Sequence, residues 1–273
     1  MSAAFDPEAI RRFEHTRWER AAPVYEATFA EATAPFIDVL LDTANVGRGV
    51  RMLDVACGPG LVALRAAARG ATPVGLDFSS AMVAVAGARD NAIRFDEGDA
   101  EALPYAENEF DVVVSNFGIH HVPRPLRALG ETHRVLRSGG HVAFSFWADS
   151  SENIAWGLVF DAIARCGDPA ASQAPQPGGG FGTAAQCADA LAGAGFADCT
   201  TRLVRATWRH TNARAMVSAL QAGTARMAAM IEAQTAAAMP AIVADIEEHA
   251  ARYRDTDGIA VPIAAVIAAG VKR

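Results

Sequence analysis

The stretch that decides the fold is Met52-Leu53-Asp54-Val55-Ala56-Cys57-Gly58-Pro59-Gly60. An apolar strand ends here in a carboxylate and enters a tight turn that carries two glycines. The residues that follow place Leu61, Leu64 and Ala68 on one face of a helix. A buried strand, a glycine turn and a helix in this order indicate the first unit of an open, parallel α/β sheet.

Two further carboxylates repeat this arrangement along the chain. Asp77 ends a second apolar strand, 23 residues after Asp54, and Asp99 follows a third short strand after another 22 residues. Because the carboxyl ends of parallel strands meet at one edge of a sheet, we expect all three side chains at a common ligand-binding edge. Three acids beside a glycine turn suit a positively charged ligand that is rich in hydroxyl and amino donors.

The glycine turn also fits the dinucleotide-binding pattern G-x-G-x-x-G/A over residues 58–63, with Asp77 near the position of a ribose-binding acid. Asp54 argues against this assignment, because its charge would repel a pyrophosphate held at the helix N-terminus. The additional acid at Asp99 argues in the same direction. An NAD-dependent oxidoreductase is therefore kept as the less favoured alternative.

As a set, these segments resemble the motifs of class I S-adenosylmethionine-dependent methyltransferases, in the small-molecule branch of the type 11 and quinone-biosynthesis enzymes. The resemblance runs in order through residues 50–147. Its segments are Asp54 to Gly60, Val74 to Ser79, Gly98 to Pro104, Phe110 to Asn116, and Leu136 to Gly140. It implies a doubly wound, seven-stranded, mostly parallel α/β sheet whose last strand runs antiparallel between the fifth and the sixth.

The resemblance also implies a site for S-adenosylmethionine. Gly58 and Gly60 would let the backbone approach the methionine part of this cofactor, and Asp54 would help to hold its amino group. Asp77 would accept hydrogen bonds from both ribose hydroxyls, and Asp99 would accept one from the adenine amine. The full set of expected cofactor-binding residues is Asp54, Ala56, Gly58, Gly60, Asp77, Phe78, Asp99, Ala100, Asn116 and Phe117.

Two histidines follow the fourth strand, on the rim where an acceptor molecule would lie. Either His120 or His121 can take a proton from a hydroxyl or a carbon acid, and both are candidate catalytic bases. The alternative is that they cap the following helix or pack against the cofactor. Methyl transfer from a sulfonium needs a base only where the acceptor is a poor nucleophile, so either interpretation is compatible with the activity.

The N-terminal segment resembles the family's lid helix, and Trp18 and Tyr25 are its candidates for contact with the substrate. Tyr25 is expected either to close over the cofactor or substrate or to pack on the sheet, and Trp18 is expected to pack. The arginines of this segment are expected to form a solvated face that Glu8, Glu14 and Glu19 balance.

We expect a single domain with an N-terminal helical lid and a helical cap insertion. Residues 168–182, rich in Pro, Gly, Ala, Ser and Gln, predict a mobile loop. The cap is predicted as two helices that separate near Pro240, and Pro262 fits poorly in a central seventh strand. The expected parts are the lid at 1–46, the cofactor-binding core at 47–150, a loop insertion at 151–182, and the C-terminal part at 183–273 with its cap at 212–249.

Composition restricts the classes of partner. The chain has 273 residues, 51% of them hydrophobic, and a net charge of −7, which gives no electrostatic footprint for nucleic acid. A nucleic-acid methyltransferase is also disfavoured by residues 115–118, which read Ser-Asn-Phe-Gly in place of Pro-Pro-Tyr or Pro-Pro-Trp. The four cysteines show no C-x-x-C spacing, so no metal site is expected. The absence of an 18-residue apolar run and of a signal-like N-terminus predicts a cytoplasmic protein without stable membrane insertion.

The sequence therefore predicts methyl transfer from S-adenosylmethionine to a small, apolar acceptor through oxygen, nitrogen or carbon. A second interpretation is a methyltransferase fold that binds the cofactor without transferring its methyl group, as a cyclase or a regulatory subunit. The sequence does not indicate an oligomeric state.

Overall fold

The computed structural model describes residues 5–172, 174–177 and 183–273 of the protein. Its strands are β1 (Arg51–Val55), β2 (Thr72–Asp77), β3 (Arg94–Glu97), β4 (Phe110–Asn116), β5 (Leu136–Trp147), β6 (Ala197–His210) and β7 (Ile259–Val271). The α-helices are α1 (Pro7–Ala21), α2 (Tyr25–Thr28), α3 (Ala30–Thr33), α4 (Ile37–Thr43), α5 (Leu61–Ala68), α6 (Ser80–Arg89), α7 (Pro125–Val135), α8 (Ile154–Cys166), α9 (Ala184–Gly193), α10 (Ala213–Gly223), α11 (Arg226–Glu232) and α12 (Met239–Ala250).

The seven strands form one sheet in the order β3-β2-β1-β4-β5-β7-β6. The pairs β1–β2, β1–β4, β2–β3 and β4–β5 are parallel, and β7 runs antiparallel to both of its neighbours. The predicted sheet and the predicted place of its antiparallel strand are confirmed. The strand order reverses between β1 and β4, and a crevice opens at this point beyond the carboxyl ends of the strands.

Helices cover both faces of the sheet, and the valine run of β4 shows why this strand forms. Val113 packs into a core on one face with Leu129 of α7, while Val112 and Val114 pack into a second core with Leu40 of α4. Successive side chains of a strand point to opposite faces, so a strand buried on both sides must be apolar at every position. A third core joins α8, α10, α11 and α12 to β6 and β7.

Two predictions for the C-terminal half were wrong. The expected loop insertion at 151–182 contains α8, a helix whose Leu158, Val159 and Ile163 are buried. The cap at 212–249 has three helices instead of two, because the chain also breaks between α10 and α11. The break expected near Pro240 is present between Glu232 and Met239, and Pro240 itself lies in the first turn of α12, where its missing N–H has no partner to lose. Of the predicted mobile loop, residues 173 and 178–182 lie outside the described part of the chain.

The position of Pro262 also differs from expectation. The fifth strand begins at Leu136, directly after α7. Pro262 lies within β7 opposite Thr207 of β6, yet β5 no longer pairs there, since its last partner pair is Trp147 with Ala265. The proline therefore sits where β7 has a neighbour on one side only, which tolerates a residue without an N–H. Among the described helices, none is both long and apolar enough to cross a bilayer.

Because α8 has one buried face, substitutions at two of its positions should differ sharply in their effect on the free energy of unfolding. Ile163 is 1% exposed, so Ile163→Ala should lower the free energy of unfolding by about 2–5 kcal/mol through lost burial and the cavity left behind. Asp161 faces solvent, and Asp161→Ala should change the free energy of unfolding by no more than about 0.5 kcal/mol. Urea denaturation of both variants measures this, and equal effects would contradict a helix with one buried face.

Candidate functional site

A cavity of about 1030 Å³, which includes its solvent-open part, lies at the carboxyl edge of β1, β2 and β4. It brings together twelve of the fourteen residues selected from the sequence, which are Trp18, Tyr25, Asp54, Ala56, Gly58, Asp77, Phe78, Asp99, Ala100, Asn116, Phe117 and His121. Gly60 and His120 are not among its lining residues.

The glycine turn after β1 shapes the floor of the cavity. Ala56, Gly58 and Gly60 have φ angles of 55°, 53° and 82°, in the left-handed region that costs a residue with a Cβ some strain. Gly60 serves packing and not the cavity, because a Cβ there would lie 2.8 Å from the Phe95 ring and 3.0 Å from Cβ of Ala86. The expected approach of the Gly60 backbone to the cofactor stays a prediction.

Two carboxylates at this edge are buried, and burial makes their ionised forms unfavourable. Asp77 accepts hydrogen bonds from the N–H groups of Gly58 at 2.8 Å and Ser79 at 3.0 Å, and burial raises its pKa to about 6. Asp54 is 1% exposed, and burial together with the nearby charge of Asp77 raises its pKa well above the ordinary value. Oδ2 of Asp54 has no hydrogen-bond partner among the described residues. A cationic donor at this position would satisfy that oxygen and favour its ionised form.

The third carboxylate is held by a residue that the sequence did not single out. Oδ2 of Asp99 accepts a hydrogen bond from Nη1 of Arg11 at 2.6 Å, and Oδ1 accepts one from the N–H of Glu101 at 2.9 Å. Arg11 belongs to α1 and also lines the cavity. The edge of the sheet and the N-terminal helix are therefore joined at one end of the site.

Further contacts bring α1 across the same edge of the sheet. The ring of His15 meets Phe78 edge-on at 5.5 Å between centroids. The carboxylate of Glu19 accepts from Oγ of Ser79 at 2.8 Å and from the N–H of Ala81 at 3.1 Å. The expected solvated face is thus wrong for Arg11, Glu14 and Glu19, whose side chains bind the core instead. For Glu14, the sequence did contain a signal of burial. This residue lies four positions after Ile10 and four before Trp18, on the apolar face of the helix.

Aromatic side chains form the other end of the cavity. The rings of Phe117 and Trp147 stack at 3.9 Å with 20° between their planes, and Phe29 contacts Trp147 at 6.0 Å. Tyr25 lies between Trp18 and Phe29, and burial raises its pKa to about 12, so its hydroxyl stays protonated. Phe29 and Trp147 were not predicted. Trp147 ends β5, and the aromatic residue at the end of a parallel strand was a usable signal.

Asn116 is fixed in place by neighbours on two sides. Its Oδ1 accepts a hydrogen bond from Oγ of Ser145 at 2.7 Å, and its Nδ2 donates to the carbonyl of Thr33 at 3.4 Å. Oγ of Ser145 in turn accepts from the N–H of Phe117 at 2.9 Å. This chain holds Phe117 at a φ of 58°, a conformation that costs free energy in a non-glycine residue and clusters at functional sites.

The two candidate histidines have different environments. His121 lines the cavity, and its Nδ1 lies 3.0 Å from Oε2 of the buried Glu14. His120 is half-buried beside it, and desolvation, followed by the nearby His121 and Arg226, lowers its pKa well below the ordinary value. Nδ1 of His120 has no hydrogen-bond partner within the described ranges. Of the two, only His121 is placed to meet a bound molecule.

The sheet order, the glycine turn and the acidic edge define a Rossmann-like domain of the class I methyltransferase type. Comparison with known families agrees, since residues 53–144 match the type 11 family described as "Methyltransferase domain". Residues 53–144 therefore match a methyltransferase domain, and the cofactor is S-adenosylmethionine.

Individual proteins extend this comparison. Demethylmenaquinone methyltransferase of Renibacterium salmoninarum is 38% identical over 127 residues, which is 45% of this chain and 54% of that protein. The chain spans about half the length of the curated relatives that it matches. Among solved structures, the YcgJ protein of Bacillus subtilis aligns with a TM-score of 0.58 and 16% identity over 88% of this chain and 99% of its own. The [4+2]-cyclase SpnF aligns with a TM-score of 0.53 and 18% identity over 97% and 96%.

The environment of Asp77 predicts a pH-dependent stability. Its folded pKa of about 6 exceeds the ordinary 3.8, so the folded chain keeps a proton that the unfolded chain has lost between these values. The stabilising effect is full below pH 4 and is lost as the pH rises through 6. The free energy of unfolding of the natural protein should thus fall, relative to that of Asp77→Asn, by about 3 kcal/mol between pH 4 and 7. Urea titrations at both pH values test this, and a pH-independent difference would contradict a buried, raised carboxyl.

Proposed function

We propose that this protein transfers the methyl group of S-adenosylmethionine to a small, apolar acceptor. The observation that carries the proposal is the two-ended cavity, with the carboxylates of Asp54, Asp77 and Asp99 at one end and stacked aromatic rings at the other. An acidic end suits the amino group, hydroxyls and adenine amine of the cofactor. An aromatic end suits an apolar molecule that must displace water before it reacts.

The residues present fit the cofactor. Asp54 would hold the amino group with the Oδ2 atom that lacks a partner in the described residues, and Asp77 would accept from the ribose hydroxyls. Asp99, with Ala100, would hold the adenine, and Phe117 would border the reacting group. When bound, S-adenosylmethionine supplies an activated methyl carbon, so the protein has to align the acceptor and exclude water.

Acceptor choice is assigned to the segments above the sheet edge. The edge itself is committed to the cofactor, so the acceptor has to be contacted by chain that folds over it. Trp18, Tyr25 and Phe29 come from the N-terminal lid and line the cavity. Met216 and Leu220 of the cap pack in the same hydrophobic core as Phe29, so the cap supports this ring. The loop at 168–182, part of which lies outside the described residues, is assigned to acceptor entry from its composition alone.

A second function deserves a direct test, since the [4+2]-cyclase aligns over nearly the whole chain. In that case the protein would bind the cofactor and would use the aromatic end of the cavity for a different reaction. The NAD-dependent alternative is less favourable, because the buried carboxylate of Asp54 would face a pyrophosphate.

Cofactor binding gives the first test of the proposal. S-adenosylhomocysteine should bind in the micromolar range and NAD should not. Asp77→Ala should weaken the binding by about 1.5–3 kcal/mol, because hydrogen bonds to a charged group have this magnitude. The matched control is Asp161→Ala, an exposed aspartate on α8, which should leave affinity unchanged. Isothermal titration calorimetry measures the affinity of the natural protein and of both variants. Full affinity of Asp77→Ala for S-adenosylhomocysteine would show that this carboxylate does not belong to the site.

Turnover separates transfer from binding alone. The protein is incubated with S-adenosylmethionine and a panel of small aromatic alcohols, amines and carbon acids, and S-adenosylhomocysteine is quantified by mass spectrometry. Formation of this product together with a methylated acceptor supports methyl transfer. Tight cofactor binding without product across the panel would favour the cyclase-like alternative.

A further inference from the structure

We infer that Glu14 is a positioning residue that holds His121 as the general base of this site, and that the acceptor is therefore a hydroxyl group on a planar ring. The inference rests on the proposed function and specifies its acceptor atom. The observation behind it is a cluster of His121, Arg226 and Trp18 around the buried carboxylate of Glu14, which reaches the cavity at Trp18 and His121.

The carboxylate of Glu14 is fully engaged although it is 1% exposed. Oε2 accepts from Nε1 of Trp18 at 3.0 Å and lies 3.0 Å from Nδ1 of His121, while Oε1 accepts from Nε of Arg226 at 2.7 Å. Burial opposes its charge, but His121 and Arg226 outweigh this effect and lower the pKa of Glu14. Glu14 is therefore ionised at neutral pH.

An ionised carboxylate only accepts hydrogen bonds, so the contact with His121 requires a proton on Nδ1. Arg226 pairs with the same carboxylate through its other oxygen, Oε1. A neutral imidazole with its proton on Nδ1 presents the lone pair of Nε2. This nitrogen makes no hydrogen bond within the described part of the chain, and the ring lines the cavity. A carboxylate that fixes the histidine tautomer in this way is the arrangement that activates a hydroxyl in unrelated enzymes.

The cluster is assembled from three separate parts of the fold. Glu14 and Trp18 belong to α1, His121 follows β4, and Arg226 begins α11 of the cap. The ring of Trp18 meets that of His121 edge-on at 5.0 Å. The base is therefore in its active tautomer only while the lid helix is docked on the core, which ties proton removal to closure of the site.

The surroundings specify the kind of hydroxyl. Trp18, Tyr25, Phe117 and Trp147 line the cavity and offer ring faces and edges to a flat molecule. An amine acceptor with a free lone pair needs no base. A ring hydroxyl and a carbon acid both need one, and the aromatic lining favours a hydroxyl carried on a flat ring. In the transfer, the hydroxyl proton passes to Nε2 of His121 and the oxygen forms the bond to the methyl carbon. The electron pair of the broken carbon–sulfur bond stays on sulfur, so the step balances.

The test compares Glu14→Gln with a matched control, Glu232→Gln. Glu232 also joins the lid to the cap, through ion pairs with Arg17 and Arg20, but it lies at the surface away from His121. Two-bond ¹H–¹⁵N spectra of imidazole-labelled protein report the tautomer, with the His121 signal assigned by its loss in His121→Asn. The natural protein and Glu232→Gln should show the proton on Nδ1, and Glu14→Gln should shift it toward Nε2.

Kinetics supply an independent measurement with 2-naphthol, catechol and hydroquinone as acceptor probes. Glu14→Gln should lower kcat about 10²–10⁴-fold, with KM for the probe and the Kd for S-adenosylhomocysteine changed less than about twofold. Glu232→Gln should keep kcat within about twofold of the natural protein. Equal losses in both variants would mean that Glu14 only anchors the lid and would overturn the inference.

Each part of the inference can fail separately. A proton on Nε2 of His121 in the natural protein overturns the positioning role, and this measurement remains valid even if Glu14→Gln does not fold. Methylation of 2-naphthylamine but of none of the three hydroxyl probes, or no methylation by a protein that binds S-adenosylhomocysteine, overturns the acceptor assignment. Failure to bind S-adenosylhomocysteine instead rejects the proposed function and leaves the tautomer result standing.

Discussion

The structure depends on the parallel pairing of β1 with β4, which sets Asp54 opposite Val114 in the centre of the sheet. Parallel strands leave their carboxyl ends on the same edge, and the strand order reverses between these two, so the chain connections diverge and a crevice opens. The glycine turn after β1 and the Asn116–Phe117 pair after β4 border this crevice from opposite sides. The location of the site therefore follows from the topology.

The same constraint buries two carboxylates close together in the site. Asp54 and Asp77 lie on neighbouring strands, and burial holds both pKa values above the ordinary range. The charge of Asp77 adds to the effect on Asp54, and the charge of Glu19 adds to the effect on Asp77. Such an arrangement costs stability in the ligand-free chain, where Oδ2 of Asp54 lacks a partner in the described residues. A ligand with a cationic donor relieves this cost on binding, because it favours the charged form. Strain stored at a binding edge and released by the ligand is a recurrent feature of functional sites.

The N-terminal helix α1 packs across this edge of the sheet through polar contacts. It contributes Arg11 to Asp99, Glu19 to Ser79 and Glu14 to the cluster around His121, so a single helix contacts the acidic end and the rim together. Exposed ion pairs of this type contribute little to stability, but Glu14 is buried, and loss of its partners would leave an uncompensated charge. The lid is thus specified by polar contacts more than by its apolar stripe.

The sequence by itself determined the features that recur at regular spacing, which are the apolar strands and the carboxylate that follows each of them. Local signals predicted the parallel strands and the acidic edge, because strand ends and glycine turns are brought to one place by parallel pairing. The antiparallel β7 and the cofactor were implied by the family resemblance. Local signals missed α8 and the third cap helix, since short apolar runs rich in alanine and glycine show weak periodicity. Only the tertiary structure decided which of two adjacent histidines reaches the cavity, and that Glu14, 107 residues away, is its partner. Contacts of this kind depend on how separate helices pack against each other, and local sequence patterns do not encode that packing.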